Sequence, residues 1–243
     1  MSGHSKWATI KRKKGANDAQ RGKIFTKIGR ELAVAVKSGG ADPEANSKLK
    51  DAIAKAKSNN MPNETILRSI KKAAGEGGGE HYENIFYEGY GPCGVAVIVE
   101  TLTDNRNRTA AEVRHYFDKF GGNLGTSGCV MFMFDQKGVI VIEKPDKIDE
   151  DQIMMDALEA GADDVEITDE YFEVTTDIGS FSSVRGALEK SGYTFASAEI
   201  SYIPQTETDL TDEKDIILMN KLIEHLEDND DVQAVWHNWS NQE

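Results

Sequence analysis

Cysteine is nearly absent from this chain. Only Cys93 and Cys129 occur in 243 residues, with no C-x-x-C spacing between them. That excludes a disulfide scaffold and a cysteine-rich zinc site, and it fits a reducing compartment. Proline is sparse too, at 5 residues, so most element ends must be read from glycine, caps and periodicity. No apolar run approaches the about 20 residues that span a bilayer. The longest, Val95–Val99, has the length of a strand. The charged N-terminus is followed by no apolar segment, which argues against a secretory signal, and it is not the Ser/Arg-rich leader of an organelle import sequence. A cytoplasmic protein with no membrane partner is the expectation.

Signatures of catalysis are missing as well. The five histidines, at 4, 81, 115, 225 and 237, are scattered, and nothing pairs one with either thiol as a nucleophile and base would require. Asp228-Asn229-Asp230-Asp231 resembles part of a calcium loop but lacks its glycine and distal glutamate, so it reads as a solvated helix-to-strand turn. Gly75–Gly79 has no Lys-Ser/Thr after it, and the glycines from Gly121 to Gly125 follow a helix rather than a strand; neither is a phosphate loop. No enzymatic activity, catalytic residue, metal or cofactor is expected. A metal-dependent enzyme using the acidic residues, or a small-ligand sensor, stands only as a rival reading.

What the chain does have is charge, unevenly placed. The formal net charge is -14, yet the first 75 residues hold 17 Lys+Arg against 6 Asp+Glu, and the remainder holds 11 against 36. A basic module joined to an acidic body suggests a polyanionic partner for the basic part.

That basic module reads as three helices. Over Asp18–Ser38, a 3.6-residue period places Ile24, Phe25, Ile28, Leu32, Ala35 and Val36 on one face. Lys23, Lys27, Arg30 and Lys37 fall on the other. Gly39-Gly40 stops this helix, Asp42-Pro43 is expected to start a second one running to about Ser58, and a third follows Pro62. The pattern beyond the Gly75–Gly79 linker is α+β. Strands are expected over Ile85–Tyr90 and Val95–Thr103. A capping box, Thr109-x-x-Glu112, opens a helix, and strands Val130–Phe134 and Val139–Glu143 flank a turn at Gln136-Lys137-Gly138. The order from Val139 to Tyr202 is β-α-β-β-α-β, the ferredoxin-like arrangement. One helix and one strand remain after Pro204, and they would complete the earlier piece into a second α/β sandwich. The expected architecture is therefore an N-terminal three-helix basic bundle followed by two ferredoxin-like α/β domains, the third inserted into the second. The boundaries are 1–78 for the basic helical domain, 79–135 plus 205–243 for the discontinuous one, and 136–204 for the insert.

Nucleic acid is the partner this charge pattern fits. The candidate contact surface is Lys6, Trp7, Lys11, Arg12, Lys13, Lys14, Arg21, Lys23, Lys27 and Arg30, with Trp7 placed either to stack on a base or to pack on the bundle. Lys and Arg without an evident reading helix bind phosphates first and specify little sequence. A second cluster, "TDNRNR", offers Arg106 and Arg108 between a central strand and a helix start. Its planar guanidinium and amide groups suit bidentate contacts, or simply cap the helix. No dimer seam is visible, which favours a monomer.

The strings "GHSKWATIKRKKGANDAQRGKIFTKIGRELAVAVKSGG", "NMPNETILRSIKKAAG", "YEGYGPCGVAVIVETLTDNRNRTAAEVRHYFDKFGGNLG" and "VQAVWHNW" resemble the YebC family of probable transcriptional regulatory proteins over essentially the whole chain. Cys93 departs from the glycine expected in most members. The resemblance implies three domains, a basic helical one and two α/β ones with the third inserted in the second, and no enzymatic activity. It also implies a regulator of gene expression, with members named as DNA-binding transcriptional regulators. A mitochondrial relative acts as a translational activator, and bacterial members are linked to the ribosome. The partner is therefore DNA or structured RNA, with a ribosome-associated translation factor as the alternative.

Overall fold

The structure, a computed structural model, describes Trp7, Ile10 and residues 18–75, 81–144 and 149–241, with the backbone alone for residues 18–20. The elements in chain order are α1 (Asp18–Gly39), α2 (Ser47–Ser58), α3 (Asn63–Ala74), β1 (Glu83–Tyr90), β2 (Ala96–Thr103), α4 (Arg106–Lys119), β3 (Asn123–Leu124), β4 (Phe134–Glu143), α5 (Glu150–Ala160), β5 (Asp164–Ile167), β6 (Tyr171–Thr176), α6 (Phe181–Lys190), β7 (Ser197–Pro204), α7 (Glu213–Asp228) and β8 (Val232–His237). They are the helices and two antiparallel sheets of an α+β protein. Two compact units result. One comprises Ala16–Met133 and Thr206–Asn241; the other is built on Phe134–Gln205 and takes in Trp7 and Ile10.

In the first unit the helical pattern of α1 does what its period dictates. Ile28, Leu32, Ala35 and Val36 are buried against Leu49, Ala52 and Ala56 of α2 and Ile66 and Ile70 of α3. The start of α2 differs from the sequence expectation. Asp42 and Pro43 form a turn, in which the Asp42 carboxylate accepts the Glu44 N–H at 3.0 Å, so its side chain is used locally. The helix begins at Ser47 instead, capped by Asn46. The Asn46 Oδ1 accepts the Leu49 N–H at 3.1 Å, while its Nδ2 donates to the carbonyls of Ala35 and Gly40, each at 2.8 Å. One buried amide thus caps α2 and satisfies carbonyls at the end of α1.

The sheet of this unit has the order β3-β1-β2-β8. Helices α4 and α7 cover the face bearing Val97 and Val99, through Val113 and Phe117 from α4 and Met219, Leu222, Ile223 and Leu226 from α7. The expected capping box does not open α4. The helix starts at Arg106, where the Asn105 side chain accepts the Arg108 N–H at 3.1 Å. Thr109 is freed by that shift and points inward to a buried carboxylate.

The second unit is inserted between Met133 and Thr206. Its sheet order, β5-β6-β4-β7, is the ferredoxin-like one for a β-α-β-β-α-β chain. The first sheet reaches the same two-layer build differently, with the β1–β2 hairpin at its centre and the β2-α4-β3 crossover passing over β1. The turn expected at Gln136-Lys137-Gly138 is not formed: these residues lie inside one ten-residue strand, β4. Glycine serves here because a Cβ at Gly138 would collide with Phe181 and Thr176, a close approach rather than a chain reversal. Residues Met131–Met133 form a 3₁₀ turn instead of a strand. Helices α5 and α6 pack Ile153, Ala157, Val184 and Leu188 onto Ile140, Ile142, Phe172 and Val174. Strand alternation leaves Val139, Val141 and Tyr171 on the opposite face, and there Trp7 and Ile10 are seated.

Candidate nucleic-acid interface

The candidate cations separate into groups with different surroundings. Lys6, Lys11, Arg12, Lys13 and Lys14 lie outside the described residues. Arg21 is exposed in the first turns of α1. The remaining α1 cations sit one turn apart and meet one stretch of chain, the end of α7 and the turn into β8. Lys23 pairs with Asp228 at 2.5 Å and Lys27 donates to the Glu227 carbonyl at 2.5 Å. Arg30 donates to the Asp231 carboxylate at 2.6 Å and to the carbonyls of Asp230 and Leu102 at 2.8 and 3.2 Å. These bonds supply partners for carbonyls at a helix C-terminus, where the macrodipole also favours positive charge.

The turn expected to be solvated therefore contains a buried charge. Asp231 is 3% exposed. Besides Arg30 it accepts from Arg108 at 2.7 Å, from the Thr109 hydroxyl at 2.7 Å and from the Thr103 hydroxyl at 3.2 Å. Burial pushes its carboxyl up, but hydrogen bonds from Arg108, Thr109 and Arg30 outweigh it and hold the group below the usual carboxylate range. Arg108 is shifted upward, by hydrogen bonds to Asp231 and then Asp104. The "TDNRNR" cluster thus divides. Arg108 joins the frame that ties α4, α1 and the β8 turn together, while Arg106 is exposed at the helix start.

Trp7 is 7% exposed. Its indole Nε1 donates to the Glu170 carboxylate at 2.6 Å, and its ring lies 5.0 Å from that of Tyr171. In this arrangement the indole faces protein rather than solvent.

Several cations outside the candidate set are also open to solvent. Lys48 and Lys57 of α2 and Lys71 and Lys72 of α3 are exposed and form no ion pair among the described residues. Arg68, one turn before Lys71 and Lys72, pairs among the described residues with Glu64 on its own helix, at 2.9 Å. Leu67, 57% exposed, stands on the same outward face. The period of α3 marks Arg68, Lys71 and Lys72 as outward, and that is the signal the sequence offers for them. The more concentrated charge of the tail and of α1 overshadows it.

Neither thiol is set up as a nucleophile. Cys93 Sγ donates to the Asp215 carboxylate at 2.8 Å, and this bond pushes its pKa up. Burial, followed by the charge of Glu88, does the same for Cys129. Glu88 itself is buried and accepts three backbone N–H groups, from Gly128, Val130 and Met131, at 2.6, 3.0 and 2.8 Å. Among the described residues no group of three His, Cys, Asp or Glu side chains is placed to hold a metal ion, and no helix is long and apolar enough to cross a membrane.

Two family models match. One, described as the TACO1/YebC protein N-terminal domain, covers residues 5–76; the other, the TACO1/YebC second and third domain, covers residues 82–239. A relative from Acetivibrio thermocellus, named "Probable transcriptional regulatory protein", is 69% identical over 239 residues, 98% of this chain and 99% of its own. A second of the same name from Ruminiclostridium cellulolyticum is 65% identical over 243 residues, 100% and 98% of the two chains. The crystal structure of a conserved hypothetical protein from Aquifex aeolicus superposes with a TM-score of 0.83 at 46% identity, covering 92% of this chain and 91% of that one.

Proposed function

The chain belongs to the TACO1/YebC family, and from that premise we propose that it is a non-enzymatic, cytoplasmic, nucleic-acid-binding regulator of gene expression. One observation carries the reading. The first 75 residues concentrate 17 Lys+Arg against 6 Asp+Glu in a chain of net charge -14, and α2 and α3 turn Lys48, Lys57, Lys71 and Lys72 outward with no ion-pair partner among the described residues. Such a surface attracts a polyanion, while the acidic remainder repels it and orients the encounter. In this reading the contact falls to Lys6, Lys11, Arg12, Lys13, Lys14, Arg21 and the outward cations of α2 and α3, with Arg106 as an outlying member. Lys23, Lys27, Arg30 and Arg108 act by holding the bundle in place.

The names of the relatives favour a role in transcription, for which duplex DNA is the natural polyanion. The concentration of cations in one module of an otherwise acidic chain, with no recognition helix evident in it, favours a second reading: recognition of structured RNA, the ribosome included, where shape and phosphate contacts dominate. Changing Lys11, Arg12, Lys13 and Lys14 together to glutamine tests the shared part. On duplex DNA, binding should weaken uniformly across sequences, and the salt slope should fall by about 0.9 log units for each phosphate no longer neutralised. Binding that is unchanged in affinity and slope would overturn the assignment.

A further inference from the structure

The outer face of the inserted sheet is occupied by residues far away in sequence. Trp7 and Ile10 both have helical backbone, and a three-residue spacing puts them on one face. Both are buried there against Val139, Val141 and Tyr171, with Ala196 and Ile203 packed alongside. The seat has a polar component as well as an apolar one. Trp7 Nε1 reaches the Glu170 carboxylate at 2.6 Å, a charge-assisted bond, and its ring meets Tyr171 at 5.0 Å and 33°.

The surroundings of that seat are anionic. Strand register puts Glu173 beside Val141 and Glu199 beside Val139 on this same face. The Tyr171 phenol is shifted upward by burial and then by the charges of Glu173, Glu166 and Glu170, which places all three carboxylates around it. Its hydroxyl is buried without a hydrogen-bond partner among the described residues. The face thus combines an aromatic and aliphatic seat with a carboxylate rim, a site suited to a cationic segment carrying an aromatic anchor. The segment seated on it is of that kind. Lys11, Arg12, Lys13 and Lys14 follow Ile10 directly, and four residues of chain extend at most about 14 Å.

We infer that this acidic sheet face is a docking site for the chain's own N-terminal arm, and that nucleic acid must compete with it for the arm's cations. The inference rests on the nucleic-acid reading above for its competitor and on Trp7 and Ile10 for its geometry. The docked arm is a self-inhibited state. Affinity for the polyanion is reduced by the fraction of molecules whose arm is released, so weakening the seat strengthens binding.

The test uses the full chain with Glu170→Ala, an exposed position whose loss leaves the sheet core intact, and Trp7→Phe, which keeps a ring but removes the indole donor. Asp169→Ala, which removes a neighbouring charge without touching Trp7, is the control. Two quantities are read: the rate of tryptic cleavage after Lys11, Arg12, Lys13 and Lys14, and the affinity for a labelled RNA stem-loop at low salt. Losing a hydrogen bond to a charged group corresponds to about a tenfold shift in the docking equilibrium. Glu170→Ala and Trp7→Phe should therefore speed cleavage and tighten RNA binding by up to about tenfold, with Asp169→Ala close to the parent in both. Unchanged cleavage would show that the arm is not held on this face and would overturn the inference. Faster cleavage with equal or weaker RNA binding would overturn the competition, because the seat would then hold the arm without opposing the polyanion. A parent that binds no RNA at all would overturn the functional reading and the competition with it, while the cleavage rates would still decide the docking.

Discussion

Replacing Asp231 by asparagine removes one charge and leaves the shape unchanged. Two guanidinium groups, at 2.6 and 2.7 Å, and the Thr109 hydroxyl, at 2.7 Å, would then face a neutral amide in a site 3% exposed. Removing one partner of a buried ion pair costs about 3–5 kcal/mol. Arg108 is 42% exposed and can turn to water or to Asp104, whereas Arg30, at 16%, is more enclosed. That argues for the lower end, about 3 kcal/mol. In a unit of this size such a loss lowers the melting temperature by about 6–12 °C. Trp236 and Trp239 both lie in this unit, so its unfolding can be followed by tryptophan fluorescence as well as calorimetry. The pH dependence supplies a second signature. Because the folded state holds the Asp231 carboxyl below its ordinary range, its contribution is fully present above the unfolded pKa. It is lost as pH falls through the lower, folded value. Asp231→Asn should lack this component, so parent and variant converge in strongly acidic solution. A variant melting within a degree of the parent, with the same acid profile, would refute the view that this carboxylate holds the bundle to the sheet.

Other perturbations follow from the same geometry. Glu88→Ala deprives three backbone N–H groups of their acceptor; it should cost about 2–3 kcal/mol and speed hydrogen exchange at Gly128, Val130 and Met131. Gly138→Ala forces Phe181 and Thr176 aside and should destabilise the inserted unit by about 1–3 kcal/mol, measured in denaturant titrations. Reversing Lys71 and Lys72 to glutamate touches no ion pair among the described residues but puts two negative charges in the last turn of α3, so it should cost about 1–2 kcal/mol while the salt slope of polyanion binding falls. Reversing Lys23 and Lys27 should also lower the melting temperature, since both meet the end of α7.

The buried face of α1 is legible from periodicity because apolar residues bury themselves whatever their partner is. Ile28, Leu32, Ala35 and Val36 are where the 3.6 period puts them. The opposite face is ambiguous for a physical reason. A row of cations looks the same whether it meets phosphate or carboxylate, and the Asp228–Asp231 turn that receives Lys23 and Arg30 lies about 200 positions away in the chain. Local chemistry misleads where one residue type serves two purposes. Thr109 has the spacing of a helix cap and in fact bonds Asp231 and Thr103. Gly138 looks like a turn residue and makes room for Phe181. Trp7 admits two readings in the sequence, and the partners that decide its surroundings, Glu170 and Tyr171, lie more than 160 residues along the chain.

The most direct test of the central claim is a parallel titration of the full chain against random duplex DNA, structured ribosomal RNA and intact ribosomes, each at low and at near-physiological salt, with the Lys71→Glu/Lys72→Glu variant alongside. The account predicts binding at low salt with a steep salt slope, and a smaller slope in the variant. Duplex DNA binding tightest with one sequence preferred would place the activity in transcription, and ribosomes retained near physiological salt would place it in translation. No binding to any of the three at low salt, or binding indifferent to both salt and the variant, would contradict the account.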